Sequence, residues 1–219
     1  MSENKSMSRK DFLKGMGTAA AGVAVAGTLG GLLTGCTNET ASVSGDPMEA
    51  PEWPLKYQKI DPAVAEERAY NAYFEQGGWG IGVADGFFGV LADEVGYPYN
   101  QIPREMFINA SGGYQMTTLC GSLGVAAACI GAVCDPDTSK EVIGEMIRWY
   151  RSFEFPQYQP EGLDLPTTVA ESELCAESVG KFMDVSGYAY GDHERKARCA
   201  GVAADCTRHM VELLNERLV

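Results

Sequence analysis

Apolar residues recur every three or four positions along much of the second half of the chain, and this period predicts amphipathic helices. In 193–218 the apolar positions are spaced by four, three, four and three residues, and in 142–153 charged residues oppose an apolar face. Shorter helices are predicted at 61–76, 87–95, 104–109 and 171–185. No segment alternates as a half-buried strand does. The sequence therefore predicts an all-α fold, a single compact helical bundle. The stripe of the last helix is Cys199, Ala203, Cys206, Met210 and Leu213.

The run from Met116 to Cys134 is long, uncharged and rich in small residues, and it carries three thiols. Its length and alanine content predict a buried helix around which the other helices pack. It is too short for a bilayer span, and Asp135 and Asp137 follow it directly. Cys120 lies at the glycine-rich end of this run, where a metal centre or a disulfide can be anchored.

Glycines are dense between Gly77 and Gly86. The spacing does not fit a dinucleotide-binding loop, and a helix is predicted before it instead of a strand. The segment is predicted to form a tight turn and close packing between two helices.

The first 35 residues resemble an export signal and are predicted not to belong to the fold. Arg9 and Lys10 stand where a twin-arginine signal has two arginines, and a run of small apolar residues follows. The sequence Leu33-Thr34-Gly35-Cys36 resembles a lipoprotein cleavage site. These features predict export by the twin-arginine route, lipid attachment at Cys36 and anchoring to the outer face of the cytoplasmic membrane.

Three segments follow from these observations: a signal at 1–35, a proline-rich tether at 36–60 and a helical domain at 61–219. The signal carries four of the 17 basic and two of the 30 acidic residues, which leaves a net charge of −15 on the remaining chain. Such an acidic surface repels nucleic acid and favours basic partners.

Six cysteines remain after Cys36, and three interpretations compete. They can ligate iron–sulfur iron or another soft metal, they can form disulfides, or some can be small buried apolar residues. The sequence contains neither C-x-x-C nor C-x-x-C-H, which argues against a zinc knuckle and against covalently bound haem. The six are Cys120, Cys129, Cys134, Cys175, Cys199 and Cys206.

Helix geometry limits which of these thiols can form one disulfide or bind one metal centre. Cys199 and Cys206 lie on one face but roughly 10 Å apart, and Cys120 and Cys134 are separated by roughly 21 Å. Cys206 and His209 are one turn apart, which is a possible metal spacing. With two histidines and no nucleophile motif, the sequence favours an electron carrier over a catalyst.

Several of these segments together resemble a known family. Thr118-Leu119-Cys120-Gly121-Ser122-Leu123, Ser172-Glu173-Leu174-Cys175 and the residues leading to Cys199 are similar to those of the redox-active family named for its spaced C, GCAxxG, C and C elements. The split-Soret cytochrome c branch is the most similar, and the resemblance covers roughly residues 65–217.

The resemblance implies an all-helical redox protein whose spaced cysteines bind an iron–sulfur cluster, and it makes a homodimer plausible. Cys120, Cys175 and Cys199 match the later three family thiols. Trp79 stands where the first thiol is expected, so that either Cys206 or His209 is a substitute ligand or the site is degenerate. The haem attachment motif of the branch is missing.

Two functions are therefore considered. The first is a lipid-anchored extracytoplasmic electron-transfer protein with an iron–sulfur centre held by Cys120, Cys175, Cys199 and Cys206, which exchanges electrons with an unidentified redox partner. The alternative is a cofactor-free structural or binding lipoprotein of the same fold, held together by disulfides such as Cys175–Cys199.

Overall fold

The computed structural model describes residues 50–219. The predicted signal at 1–35, the lipid site at Cys36 and the first part of the predicted tether lie outside the described residues. The last part of that segment runs along the helices. The indole nitrogen of Trp53 donates to the carbonyl of Gly131 at 2.8 Å, and the Tyr57 hydroxyl donates to the Asn215 side chain at 2.9 Å.

Helices account for most of the described chain, as predicted. Asp85–Gly89 is a π-helical turn between an α-helix that ends at Ala84 and one that begins at Val90. Short 3-10 turns occupy Tyr99–Gln101 and Arg104–Ala110. The short strands β1 (Glu154–Phe155) and β2 (Thr168–Val169) pair antiparallel at the two ends of a proline-rich loop. The all-α prediction is confirmed, with this small sheet as an addition. The α-helices in residues 50–219 are α1 (Pro62–Gln76), α2 (Trp79–Ala84), α3 (Val90–Glu94), α4 (Gly121–Val133), α5 (Pro136–Ser152), α6 (Cys175–Ser186) and α7 (His193–Leu218).

Local sequence signals set several helix ends. The Asp61 carboxylate accepts from the Ala63 amide at 2.8 Å and caps α1, and Asp135 caps α5 in the same way. Both helices have proline in the first turn, where no backbone donor is needed. Helix α1 ends at Gly77, whose φ of 99° is a left-handed conformation that glycine adopts without a steric cost.

The C-terminal helix α7 is the centre of the domain, because it packs against α1, α2, α4, α5 and α6. Small residues in its middle allow this close packing. A Cβ atom on Gly201 would lie 2.6 Å from the Cβ of Pro156, and one on Gly86 would lie 2.9 Å from the side chain of Thr207. No helix in residues 50–219 has both the length and the apolar character that a bilayer crossing requires.

The helix predicted at 171–185 begins only at Cys175, because Leu174 pairs with Leu119 in an antiparallel bridge. Two further predicted boundaries are wrong. The helix expected from residue 116 begins at Gly121, because Tyr114, Gln115 and Thr117 have left-handed backbone conformations with φ between 55° and 62°. The glycine-dense segment forms a turn only at Gly77 and Gly78, and its later glycines lie inside a helical rod that starts at residue 79. In both cases, close contacts with neighbouring elements determined a helix boundary that the local sequence pattern did not fix.

The close packing at Gly86 leads to a stability prediction. A Cβ there would lie 2.7 Å from the carbonyl of Ala65 and 2.8 Å from the Cβ of Ala69. Gly86→Ala should therefore lower the free energy of unfolding by about 1–3 kcal/mol through overpacking. Urea unfolding followed by circular dichroism measures the change.

Gly180→Ala is the matched control, because no atom lies within 4 Å of its hypothetical Cβ. Alanine is a better helix former there and should raise stability by about 0.5–1 kcal/mol. Equal effects at the two positions would contradict the packing of α1 against the rod.

Candidate metal centre

The segments that lead into α4 and α6 run side by side and bring two thiols together. Leu119 and Leu174 form an antiparallel bridge. The Cys120 amide donates to the backbone carbonyl of Glu173 at 2.8 Å, and the Cys175 amide donates to that of Thr118 at 2.6 Å. Cys120 is the residue before α4, and Cys175 is the first residue of α6. Both thiols thus lie at helix N-termini, whose partial positive charge attracts a bound anion.

Helix α7 contributes two further thiols to the same region. Cys175 is close enough to Cys120 and Cys199 for their charges to interact, and Cys120 is similarly close to Cys206. These pairwise interactions connect the four thiols in the order Cys206, Cys120, Cys175, Cys199, and this set is called the thiol row below. All four residues are at most 7% exposed.

Two arginines of α7 lie against this row and are almost completely enclosed. Arg195 is 2% exposed, and its Nη1 approaches the Cys199 sulfur at 3.9 Å, while its Nε donates to the Tyr190 carbonyl. Arg198 is 1% exposed and donates to the Ser178 hydroxyl at 2.9 Å. Neither forms an ion pair with a carboxylate of residues 50–219, and the Arg198 Nε has no acceptor there. The buried Asp205 interacts with Arg198 without forming an ion pair, but it accepts from the backbone amides of Gln157 and Tyr158, and burial raises its pKa to about 7. It therefore balances at most part of the charge, and because a buried cation without an anion is costly, the two arginines indicate a missing negative charge.

The Cys175 and Cys206 thiols are protonated at neutral pH when no metal is present. Burial raises the pKa of Cys175 to about 12, with the neighbouring Cys120 and Cys199 acting in the same direction. Burial also raises the pKa of Cys206 well above its usual range. Both arginines act against this shift at Cys175, but burial outweighs them. A metal bound here must displace the thiol protons, so its affinity must rise with pH.

The donor set suits a thiolate-bound metal, although it is not preassembled. Within residues 50–219, no three His, Cys, Asp or Glu side chains are gathered closely enough to hold a metal ion as they stand. To bind one metal centre, the four thiols of the row would have to turn towards one point. Soft sulfur donors in a positively charged, dry environment are nevertheless what an anionic iron–sulfur centre requires.

The other predicted candidates lie elsewhere. Cys129 is enclosed in the apolar core, and Cys134 ends α4 beside Asp135, so the separate roles expected for Cys120 and Cys134 agree with the structure. His209 stacks on Trp149 at 4.2 Å, and its interactions are with carboxylates such as Glu212. All six cysteines of the described segment are unpaired, so the Cys175–Cys199 disulfide of the alternative interpretation is not formed.

Sequence reasoning missed the arginines and the polar network that holds them. The Tyr150 hydroxyl donates to Ser178 at 3.1 Å, and Ser178 also accepts from Arg198. One signal was available: Arg195 and Arg198 lie four and one residues before Cys199, so two charged side chains fall close to the buried stripe of α7.

Comparisons with known proteins bear on this arrangement. Fold and site define a helical domain that buries a row of thiols beside two arginines without carboxylate partners. A profile of the family described as "Putative redox-active protein (C_GCAxxG_C_C)" matches residues 83–213, which is more than half of the chain. The chain therefore belongs to this family, and the resemblance inferred from the sequence is confirmed.

Split-Soret cytochrome c of Desulfovibrio desulfuricans is one relative. It is 29% identical over 219 aligned residues, which cover 96% of this chain and 78% of the relative. A solved structure described as "A novel iron centre in the split-Soret cytochrome c from Desulfovibrio desulfuricans ATCC 27774" has a TM-score of 0.72 and 30% identity, over 75% of this chain and 72% of that chain. The helical fold is thus shared with a protein that contains an iron centre.

The burial of the thiols predicts their reactivity in the metal-free protein. Cys175 should react with iodoacetamide much more slowly in the native protein at pH 8 than in denaturant, because it is enclosed and protonated. Its native rate should keep rising towards pH 12. Mass spectrometry of time-resolved labelling measures this rate.

Labelling in denaturant without a reductant provides the control. All six cysteines after residue 50 should then be labelled. Two missing labels at Cys175 and Cys199 would support the disulfide alternative and contradict the structure.

Proposed function

We propose that this protein is an electron-transfer protein with an iron–sulfur centre held by Cys120, Cys175 and Cys199, and with Cys206 in place of the first family thiol. The centre would supply a one-electron redox couple, because thiolate-bound iron changes its oxidation state without a change of ligands. The protein itself would bind the centre, shield it from water and orient it towards the redox partner. No catalytic residue is assigned.

The observation that carries this proposal is the pair of enclosed guanidinium groups beside the thiols. Arg195 and Arg198 bring two positive charges into a region where no carboxylate forms an ion pair with them. The one carboxylate that interacts with Arg198 is Asp205, whose pKa burial raises to about 7, so it supplies less than one negative charge near neutral pH. Protonated thiols cannot balance those charges, whereas thiolates bound to iron can. A protein that never held an anion here would gain stability by replacing the arginines with apolar residues.

The helix ends support the same interpretation. Cys120 and Cys175 are held by backbone hydrogen bonds between the two segments that contain them, so their backbone positions are fixed without metal. Their side chains lie where the first-turn amides of α4 and α6 are free to stabilise negative charge. Burial excludes water from the sulfurs and thereby contributes to the reduction potential.

Cellular placement and partners form part of the proposal. A net charge of −15 after removal of residues 1–35 favours a basic redox partner. The signal-like sequence supports export by the twin-arginine route, and Cys36 supports a lipid anchor at the outer face of the cytoplasmic membrane. The resemblance to split-Soret cytochrome c supports a homodimer.

Anaerobically purified protein should contain iron and acid-labile sulfide and should absorb visible light. Cys175→Ser should remove most of the iron, because serine is a harder donor. Cys129→Ser is the matched control, since Cys129 is equally buried but is not in the row. A colourless, iron-free wild-type protein would rule the proposal out.

Arg198→Met tests, in the same measurement, whether Arg198 balances the charge of a bound anion or has only a structural role. It should reduce iron retention while leaving the metal-free protein as stable as the wild type or more stable, because an unpaired buried charge is removed. Arg208→Met serves as control, because Arg208 is half-exposed and is paired with Glu66 and Glu212. Full iron retention in Arg198→Met would contradict the role of the guanidinium.

The lipid anchor has its own test. Replacing Cys36 with alanine should prevent labelling by radioactive palmitate and release the protein from the membrane fraction. Cys129→Ser should leave both unchanged, because Cys129 is a buried core residue. Undiminished palmitate labelling of Cys36→Ala would exclude that residue as the attachment site.

A further inference from the structure

Trp79 occupies the position where the family resemblance places the first thiol, and its surroundings indicate a role of its own. It is the first residue of α2 and follows the glycines of the α1–α2 turn. The indole packs against the cluster that includes Cys175 and Cys199, and against the ring of Tyr73 at a centroid distance of 5.3 Å. The guanidinium of Arg195 lies over the same indole at 5.5 Å.

The indole N–H is enclosed without an acceptor among the described residues. A buried donor of this kind almost always has a partner in a folded protein. The Nε of Arg198 is a second enclosed donor without an acceptor, and it belongs to an arginine that interacts with Cys175. The indole and the two guanidinium groups therefore place three donor groups beside the thiol row, and two of them have an unsatisfied N–H.

The charged groups nearby do not provide the missing acceptor. Asp205 is the carboxylate that interacts with Arg198, but its oxygens accept from the backbone amides of Gln157 and Tyr158 at 2.9 and 3.0 Å. Arg195 is held by Tyr190 and approaches Cys199. Among the buried members of the cluster against which the indole packs, the Tyr73 hydroxyl interacts with Arg195 and the Tyr70 hydroxyl with Glu161. The other side-chain acceptors among those buried members are the sulfurs of Cys175 and Cys199.

We infer that Trp79 is a positioning residue that donates its indole N–H to sulfur of the iron–sulfur centre and raises the reduction potential of that centre. This inference rests on the proposed function. A cysteine at position 79 would add one negative charge as a thiolate, whereas the indole adds none. Both the smaller negative charge and the N–H···S hydrogen bond stabilise the reduced state.

The redox step is a simple one-electron reduction. In the assay, dithionite supplies the electron, the centre becomes more negative by one unit, and no protein bond is made or broken. The donors around the centre then interact with a larger negative charge. This difference between the two oxidation states is what shifts the potential.

Trp79→Phe tests the inference, because it keeps an aromatic ring and removes the N–H. The variant should retain wild-type iron and sulfide, and its midpoint potential should shift downward in an anaerobic titration followed by visible absorption. Trp79→Cys should shift the potential further down, since it adds a thiolate. Trp149→Phe is the control and should show the wild-type potential, because Trp149 stacks on His209 away from the thiols.

Each result has a definite meaning. An unchanged potential in iron-loaded Trp79→Phe would overturn the role of Trp79 while leaving the proposed function standing. Loss of iron in that variant would also overturn it, because the ring would then hold the centre in place instead of tuning it. Iron-free wild-type protein would overturn the proposed function itself and this inference with it.

Discussion

Charge balance inside the domain is the constraint on which the site depends. Arg195 and Arg198 are enclosed by protein, and no carboxylate is paired with them in residues 50–219. Removing such charges from water costs several kcal/mol per ion unless an anion compensates. The groups beside them are thiols, which become anionic when they bind a soft metal. The arginines and cysteines of α7 therefore form one unit, in which the cations and the metal-bound thiolates balance each other's charge.

Two separate features of the fold bring these arginines and cysteines together. Small residues in α1, α2 and α7 let three helices approach closely, which places the α7 thiols deep in the domain. The bridge between Leu119 and Leu174 then joins the starts of α4 and α6, so that Cys120 and Cys175 meet although 55 residues separate them in sequence. Left-handed backbone at Tyr114, Gln115 and Thr117 belongs to the same region, and strained conformations of this kind concentrate at functional sites.

Membership of the redox-active family and the shared fold with an iron-containing cytochrome agree with this chemistry. The resemblance inferred from the sequence places the first family thiol at Trp79, before the residues 83–213 that the family profile matches. There the chain has a large neutral donor that stacks on Arg195. In the proposed centre, an N–H donor in place of a thiolate would lower the negative charge and leave the other sulfur ligands in place.

The sequence by itself determined the helical class, the caps at Asp61 and Asp135, and the cysteine stripe of α7, because these depend on periodicity and on contacts within a few residues. It also determined the family, through segments around Cys120, Cys175 and Cys199. Only the tertiary structure decided that α4 begins after Cys120, that Cys120 lies beside Cys175, and that two arginines without carboxylate partners face the thiols. Those features arise from contacts between residues distant in the chain, where burial and charge pairing outweigh local preference and no short pattern records the outcome.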